Sequence, residues 1–256
     1  MNLSSSDIRF IRSLALKKYR DESGCFTVEG EKMVDEACKS GWEIRGVWRR
    51  EEIGEDAMAR ISALKHPSPV LAVVHRRADL FAETEESVGR ILPERGLVLA
   101  LDAIRDPGNL GTILRCADWF GVEAVIASPD TVDLFNPKVV QATMGALFRV
   151  PFHYMPLPLA LRIVRERGGA VHGTFLDGED IYRSPLPGTG CGKADVLVIG
   201  NEANGISDAV AACVTDRLLI PSWPPGRQGS ESLNAAVATA VTLAEFRRRI
   251  LSNESL

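Results

Sequence analysis

At 256 residues, with 45% apolar and 25% charged side chains, the chain has the composition of a soluble globular protein with a sizeable core, in one large domain or two modest ones. No apolar run approaches the roughly 20 residues of a membrane-spanning helix, and MNLSSSDIRFIRS lacks the apolar stretch of a secretory signal, so no membrane association and a cytoplasmic location are expected. A net charge of -4 argues against a nucleic-acid surface spread over the whole molecule, and five scattered cysteines with no CxxC pair read as reduced and structural, with no metal site.

The first segment departs from that average. Arg9, Arg12, Lys17, Lys18 and Arg20 stand against Asp7 alone, a local basic patch that suits RNA but equally describes a solvated helix face. Apolar spacing predicts a helix over residues 7–18, capped by Ser6 or Asp7. Strands are predicted at CFTVEG, IRGVWRR and VLAVVH, alternating with helices at EKMVDEACKS and EDAMARISALK. Residues 1–78 therefore read as a small α/β unit, and the acidic stretch 79–95 as a linker.

From residue 96 onwards the pattern changes scale. LVLALDAI is a strand of the kind buried on both faces, followed by a predicted helix over 110–120 and the strand VEAVIAS. Helices are expected at PKVVQATMGALF and LALRIVRER, strands at AVHGTFL, DVLVIG and RLLIP, and a long helix over 233–250. Alternating strands and helices imply a mainly parallel sheet with ligands at the carboxyl ends of its strands, in the loops after Ile104, Phe175, Ile199 and Ile220.

Three of those loops carry chemistry. In DAIRDPGNLGTILR, Pro107 and Gly108 make a tight turn and Asn109 is placed to cap the next helix, on which Arg115 follows. In VLVIGNEANGIS a buried strand runs into Gly200, Asn201 and Glu202, without the Lys-Ser/Thr of a P-loop, and no GxGxxG occurs in the chain. In LLIPSWPPGRQGSESLNAAVA, Trp223 sits in a Pro/Gly-rich loop, and Ser232 and Asn234 open an alanine-rich helix. Taken singly, each has an ordinary explanation: Asn109 and Ser232 as caps, Arg115 as a solvated residue, Glu202 as a turn acid, Trp223 as cover for core.

Taken together, D-P-G-N-L-G-T-I-L-R, I-G-N-E-A-N-G-I and I-P followed by S-L-N-A-A-V-A, in this order, resemble the three motifs of the SpoU/TrmH branch of the SPOUT methyltransferases. KKYR and FTVEGEKMVDEA resemble the ribosomal-protein-like RNA-binding domain often fused in front of it. The resemblance implies an α/β SPOUT-type domain over 96–256 with a C-terminal trefoil knot, an arrangement that chain topology in general disfavours. It implies S-adenosyl-L-methionine bound by the loops at Thr174, Phe175, Gly200, Ile220 and Leu233, and a catalytic set of Asn109, Arg115, Glu202, Ser232 and Asn234. It further implies RNA bound by Arg9, Arg12, Lys17, Lys18 and Arg20, a homodimer, and methylation of a ribose 2′-hydroxyl, on ribosomal RNA in preference to transfer RNA. A catalytically silent RNA-binding module of the same fold and a SPOUT base methyltransferase are the alternatives. A nicotinamide oxidoreductase is disfavoured by the missing glycine fingerprint.

Overall fold

A computed structural model describes residues 3–184, 192–224 and 232–254, the side chains of the last helix only as far as residue 250. In chain order the first elements are α1 (Ser5–Ser13), α2 (Lys17–Ser23), β1 (Cys25–Glu29), α3 (Glu31–Lys39), β2 (Ile44–Arg49), α4 (Arg50–Ile53), α5 (Glu55–Ile61) and β3 (Val70–His75). They continue with α6 (Glu85–Ile91), β4 (Gly96–Leu101), α7 (Pro107–Trp119), β5 (Ala124–Ala127), α8 (Pro137–Thr143), β6 (Phe152–Tyr154) and α9 (Leu157–Glu166). The last are β7 (Val171–Asp180), β8 (Ala194–Ile199), α10 (Asp208–Ala211), β9 (Asp216–Leu219) and α11 (Ala235–Glu254). No helix among the described residues is long and apolar enough to cross a membrane.

The chain divides into two units, one of residues 1–78 and 133–149, the other of 79–132 and 150–256. In the first, a three-stranded antiparallel sheet in the order β1-β3-β2 packs Cys25, Trp48, Leu71 and Val73 against Ile8, Ile11 and Leu14 of the opening helix and Met58 and Ile61 of α5. The single helix expected over 7–18 is two. Ser4, not Ser6 or Asp7, caps α1 in a capping box with Asp7, and the chain turns at Leu14 before α2 begins.

Residues 133–149 join this unit although they lie inside the predicted catalytic sequence, and the reason is aromatic and ionic. Phe135 and Phe148 complete a cluster with Phe26 and Trp42, the Phe26 and Phe135 rings lying 4.5 Å apart. Asp133 accepts from Arg20 at 2.7 and 3.1 Å.

The second unit is a six-stranded sheet, order β6-β5-β4-β8-β7-β9, parallel in every pairing. On one face Val98, Ala100, Val196 and Val198 pack with α6, α9 and α10 residues such as Val88, Leu161, Val164 and Val210. Three elements of this unit escape the sequence reading, α6, β6 and the four-residue α10. Residues 79–95 are not a bare spacer: Thr84 caps α6, which puts Val88 into this core. The three residues of β6 were hidden because so short a strand shows no periodicity.

Candidate active site

Chain order turns back at β4: β5 and β6 extend the sheet on one side, while β8 returns to pair with β4 on the other. Such a reversal opens a crevice at the carboxyl ends of the two strands, and the loops after β4 and β8 meet there.

Asp106 caps α7, its Oδ1 accepting the backbone N–H of Asn109 at 2.8 Å, with Pro107 preset for the first helical position. Asn109 is therefore not the cap. Its side chain is free, and its Nδ2 donates to Oε1 of Glu202 at 2.5 Å. The carboxylate can only accept, so the amide nitrogen must face it and Oδ1 must face away. That oxygen accepts from Nδ2 of Asn234 at 2.8 Å. Asn234 is fixed in turn by capping α11, its Oδ1 accepting from the N–H groups of Ala236 and Val237 at 3.0 and 3.3 Å. Three loops distant in sequence are thus joined by one polar chain whose orientation is set from both ends.

Two further links hold the first two loops together. The buried Asp102 accepts from the Ser207 N–H at 2.7 Å, and Asn201 Nδ2 donates to the Ala103 carbonyl at 2.7 Å. Asp106 and Asn201 both stand within the first two motifs, but no local pattern shows which partners they take.

Of the remaining candidates, Arg115 lies on the exposed face of α7, six residues beyond Asn109, with no ion-pair partner among the described residues. Ser232 is exposed and does not cap α11, since Asn234 does so. Neither joins the polar chain.

Gly200 and Ile220 directly follow β8 and β9, whereas Thr174 and Phe175, expected at a strand end, lie within β7, just past its last pairing with β8 at Gly173. There β7 leaves its ladder with β9 after Thr174 and rejoins it at Glu179, a bulge of the kind that re-aims side chains beside sites. The Arg217 guanidinium lies 3.5 Å over the Phe175 ring and pairs with Asp177 at 2.5 Å. Hydrogen bonding from Arg217 holds the Asp177 carboxyl below the ordinary carboxylate range. Leu233 is half exposed next to Asn234. These are apolar side chains and strand-end backbone, a donor set suited to an uncharged heterocycle such as adenine.

In the first unit Arg9, Arg12, Lys17 and Lys18 are exposed, the lysines in open i,i+4 pairs with Asp21 and Glu22 that cost little to break. Arg45 of β2 adds a guanidinium 3.9 Å over the Phe10 ring, a neighbour invisible in sequence. Arg20 does not belong to this patch. It is 2% exposed and spends its fork on Asp133 and on the Leu14 and Ala15 carbonyls. Trp223, by contrast, is 82% exposed and covers no core.

An all-parallel sheet covered by helices, with polar side chains from three loops meeting where the strand order reverses, defines an α/β enzyme that takes its ligand at the carboxyl ends of its strands. The SpoU rRNA methylase family model matches residues 96–244, and that of the MRM3-like substrate binding domain matches 5–86. The chain belongs to the SpoU rRNA methylase family. It is 29% identical over 251 residues to the 23S rRNA (guanosine(2553)-2′-O)-methyltransferase RlmP of Bacillus subtilis, covering 92% of this chain and 94% of that one. A TrmH-family structure from Porphyromonas gingivalis superposes with a TM-score of 0.81 at 40% identity, over 96% of this chain and 99% of the other. An rRNA methyltransferase from Sinorhizobium meliloti, solved with AdoMet bound, superposes at 0.82 with 30% identity, over 98% of each chain.

Proposed function

We propose that this protein transfers the methyl group of S-adenosylmethionine to a ribose 2′-hydroxyl of ribosomal RNA. The observation that carries the reading is the hydrogen-bonded chain Glu202–Asn109–Asn234, at the crevice of a fold shared, at 30% identity, with an rRNA methyltransferase solved with AdoMet bound. The 2′-O-methylation of 23S rRNA by the Bacillus subtilis relative supplies the substrate class.

S-adenosylmethionine supplies a methyl group already activated on a sulfonium. The chain's task is then to align the attacking 2′-oxygen and to stabilise the charge that develops on it as its proton passes to solvent. Thr174, Phe175, Gly200, Ile220 and Leu233 hold the cofactor, largely through backbone groups. Arg115 acts at the hydroxyl. Its guanidinium has a pKa above about 12, which makes it a donor to the developing oxyanion and the neighbouring phosphate and a poor base. Asn109, Glu202 and Asn234 keep the loops and the ribose in register, and Ser232 lies beside them. Arg9, Arg12, Lys17 and Lys18 hold the RNA backbone.

Two copies associate through the outer face of α11, where Val237 and Ala244 lie exposed two turns apart, and the carboxyl-terminal segment forms the family's trefoil knot. The protein works in the cytoplasm.

The test is methyl transfer from labelled S-adenosylmethionine to ribosomal and transfer RNA of a strain lacking the gene, followed by digestion to nucleosides. A labelled 2′-O-methylnucleoside from ribosomal RNA is expected. Cofactor binding without transfer to either RNA would mean a silent RNA-binding module, and a labelled base would mean the wrong acceptor atom. Sedimentation as a monomer at working concentration would remove the dimer.

A further inference from the structure

The loop between β4 and α7 contains a non-glycine residue in the left-handed region, Ala103, with φ 57°. An L side chain is crowded there, and such a conformation persists only where surrounding groups over-determine it. Both peptide groups of Ala103 are gripped by side chains from other loops. Its N–H donates to Ser128 Oγ at 2.8 Å, while the Ser128 hydroxyl itself donates to Asp130 at 2.6 Å. Its carbonyl accepts from Asn201 Nδ2 at 2.7 Å.

Asn201 faces two ways. Its Oδ1 accepts from the N–H groups of Ala203 and Asn204 at 2.9 and 3.2 Å, and its backbone pairs with Gly205 through two bonds of 2.9 Å. That turn carries Glu202 at its first position. One amide therefore shapes the Glu202 turn with its oxygen and, with its nitrogen, holds the strained carbonyl three residues before the Asp106 cap and six before Asn109.

We infer that Asn201 is a positioning residue for methyl transfer, a clasp that sets the Asn109–Glu202 register by holding Ala103 in its strained conformation. This rests on the role given to those two residues above. Released, Ala103 relaxes toward negative φ, the entry of α7 rotates, and Asn109 and Arg115 move with it.

The test is Asn201→Asp, which keeps a side-chain acceptor for the Glu202 turn but turns an oxygen toward the Ala103 carbonyl in place of the donor. Turnover should fall by about tenfold to a hundredfold, the scale of a small misplacement at a reacting centre, with S-adenosylmethionine affinity nearly unchanged. Ala103→Gly in the same chain should restore most of the lost rate, because glycine adopts positive φ without crowding. A merely structural Asn201 would gain nothing from that second change. Turnover of Asn201→Asp at the wild-type rate, or a loss that Ala103→Gly leaves uncorrected, overturns the clasp. If the melting curve shows Asn201→Asp unfolded, Ser128→Ala removes the other grip, and the same rescue is required of it. A wild-type protein that methylates no RNA would instead sink the reading on which the clasp rests.

Discussion

Asn109 has its role because a neighbour took its expected one. Placed after Pro107 and Gly108 it reads as a cap, but the helix starts earlier and Asp106 caps it, so the Asn109 amide is left to bridge Glu202 and Asn234. Asn234 reverses the case, since it both caps α11 and joins the network, leaving Ser232 out. A side-chain oxygen has two lone pairs and an amide two N–H groups, so capping and bridging are compatible only where the helix and the partner lie on different sides. Arg115 has no ion-pair partner among the described residues to compete for its guanidinium. Replacing it by lysine keeps the charge and loses the planar fork, so most turnover should disappear while cofactor affinity holds. Initial rates and a binding isotherm on Arg115→Lys check this; a near wild-type rate would take Arg115 out of the mechanism.

Among the elements, α7 is pinned to α11 at both its ends. Asn234 reaches Asn109 near their N-termini, and Arg247 donates to the Phe120 and Gly121 carbonyls, at 2.6 and 2.5 Å, at the C-terminus of α7. The two helices therefore run parallel, and the Arg247 cation satisfies carbonyls that α7 leaves open. Glu245, two residues before Arg247 in α11, is buried and bound by Arg248 and Arg249. The hydrogen bond from Arg248 pulls its carboxyl down from 4.5 to about 2, against the opposing effect of burial and with Arg249 assisting. A depressed carboxylate stabilises the fold above its unfolded pKa and loses that contribution as pH falls through the folded one. Stability should therefore decline between pH 4.5 and about 2, and Glu245→Gln should flatten that part of the acid-unfolding curve.

The loop after β8 is as constrained as the helices. A Cβ on Gly200 would meet main-chain atoms of Gly205 and Ile206 at 2.3 and 2.4 Å, which no side-chain rotation relieves. Gly200→Ala should thus open the Glu202 turn and weaken S-adenosylmethionine binding by about tenfold or more, as strained close approaches do. Calorimetric titration of the variant is the measurement, and unchanged affinity would mean that the turn is not part of the cofactor site.

For the whole molecule, the boundary in sequence is not the boundary in packing. Residues 133–149 return to the unit made by 1–78, and the Arg20–Asp133 pair, with side chains 3% and 10% exposed, joins positions 113 residues apart. Removing one partner of a buried pair strands the other charge, at about 3–5 kcal/mol. Asp133→Ala should lose that much in urea unfolding followed by tryptophan emission, Trp42 and Trp48 both lying in this unit. A loss below about 1 kcal/mol, the value of an exposed pair, would show that Arg20 finds water instead.

Most strands and helices of both units were legible in the sequence, because hydrophobic period, Pro107 and the glycines act over a few residues. So were the three loops and the family that they resemble, because motif order is a property of the chain alone. The sequence by itself determined, then, all strands but the short β6 and which residue types were available for the chemistry. Only the tertiary structure decided which polar residue caps and which one bridges, that Arg20 is a buried structural cation and not part of the basic patch, and that Trp223 lies in solvent. The reason is distance along the chain. Asn109 meets Glu202 across 93 residues and Asn234 across 125, and a hydrogen bond is made to whatever the fold brings within reach, which no local pattern encodes.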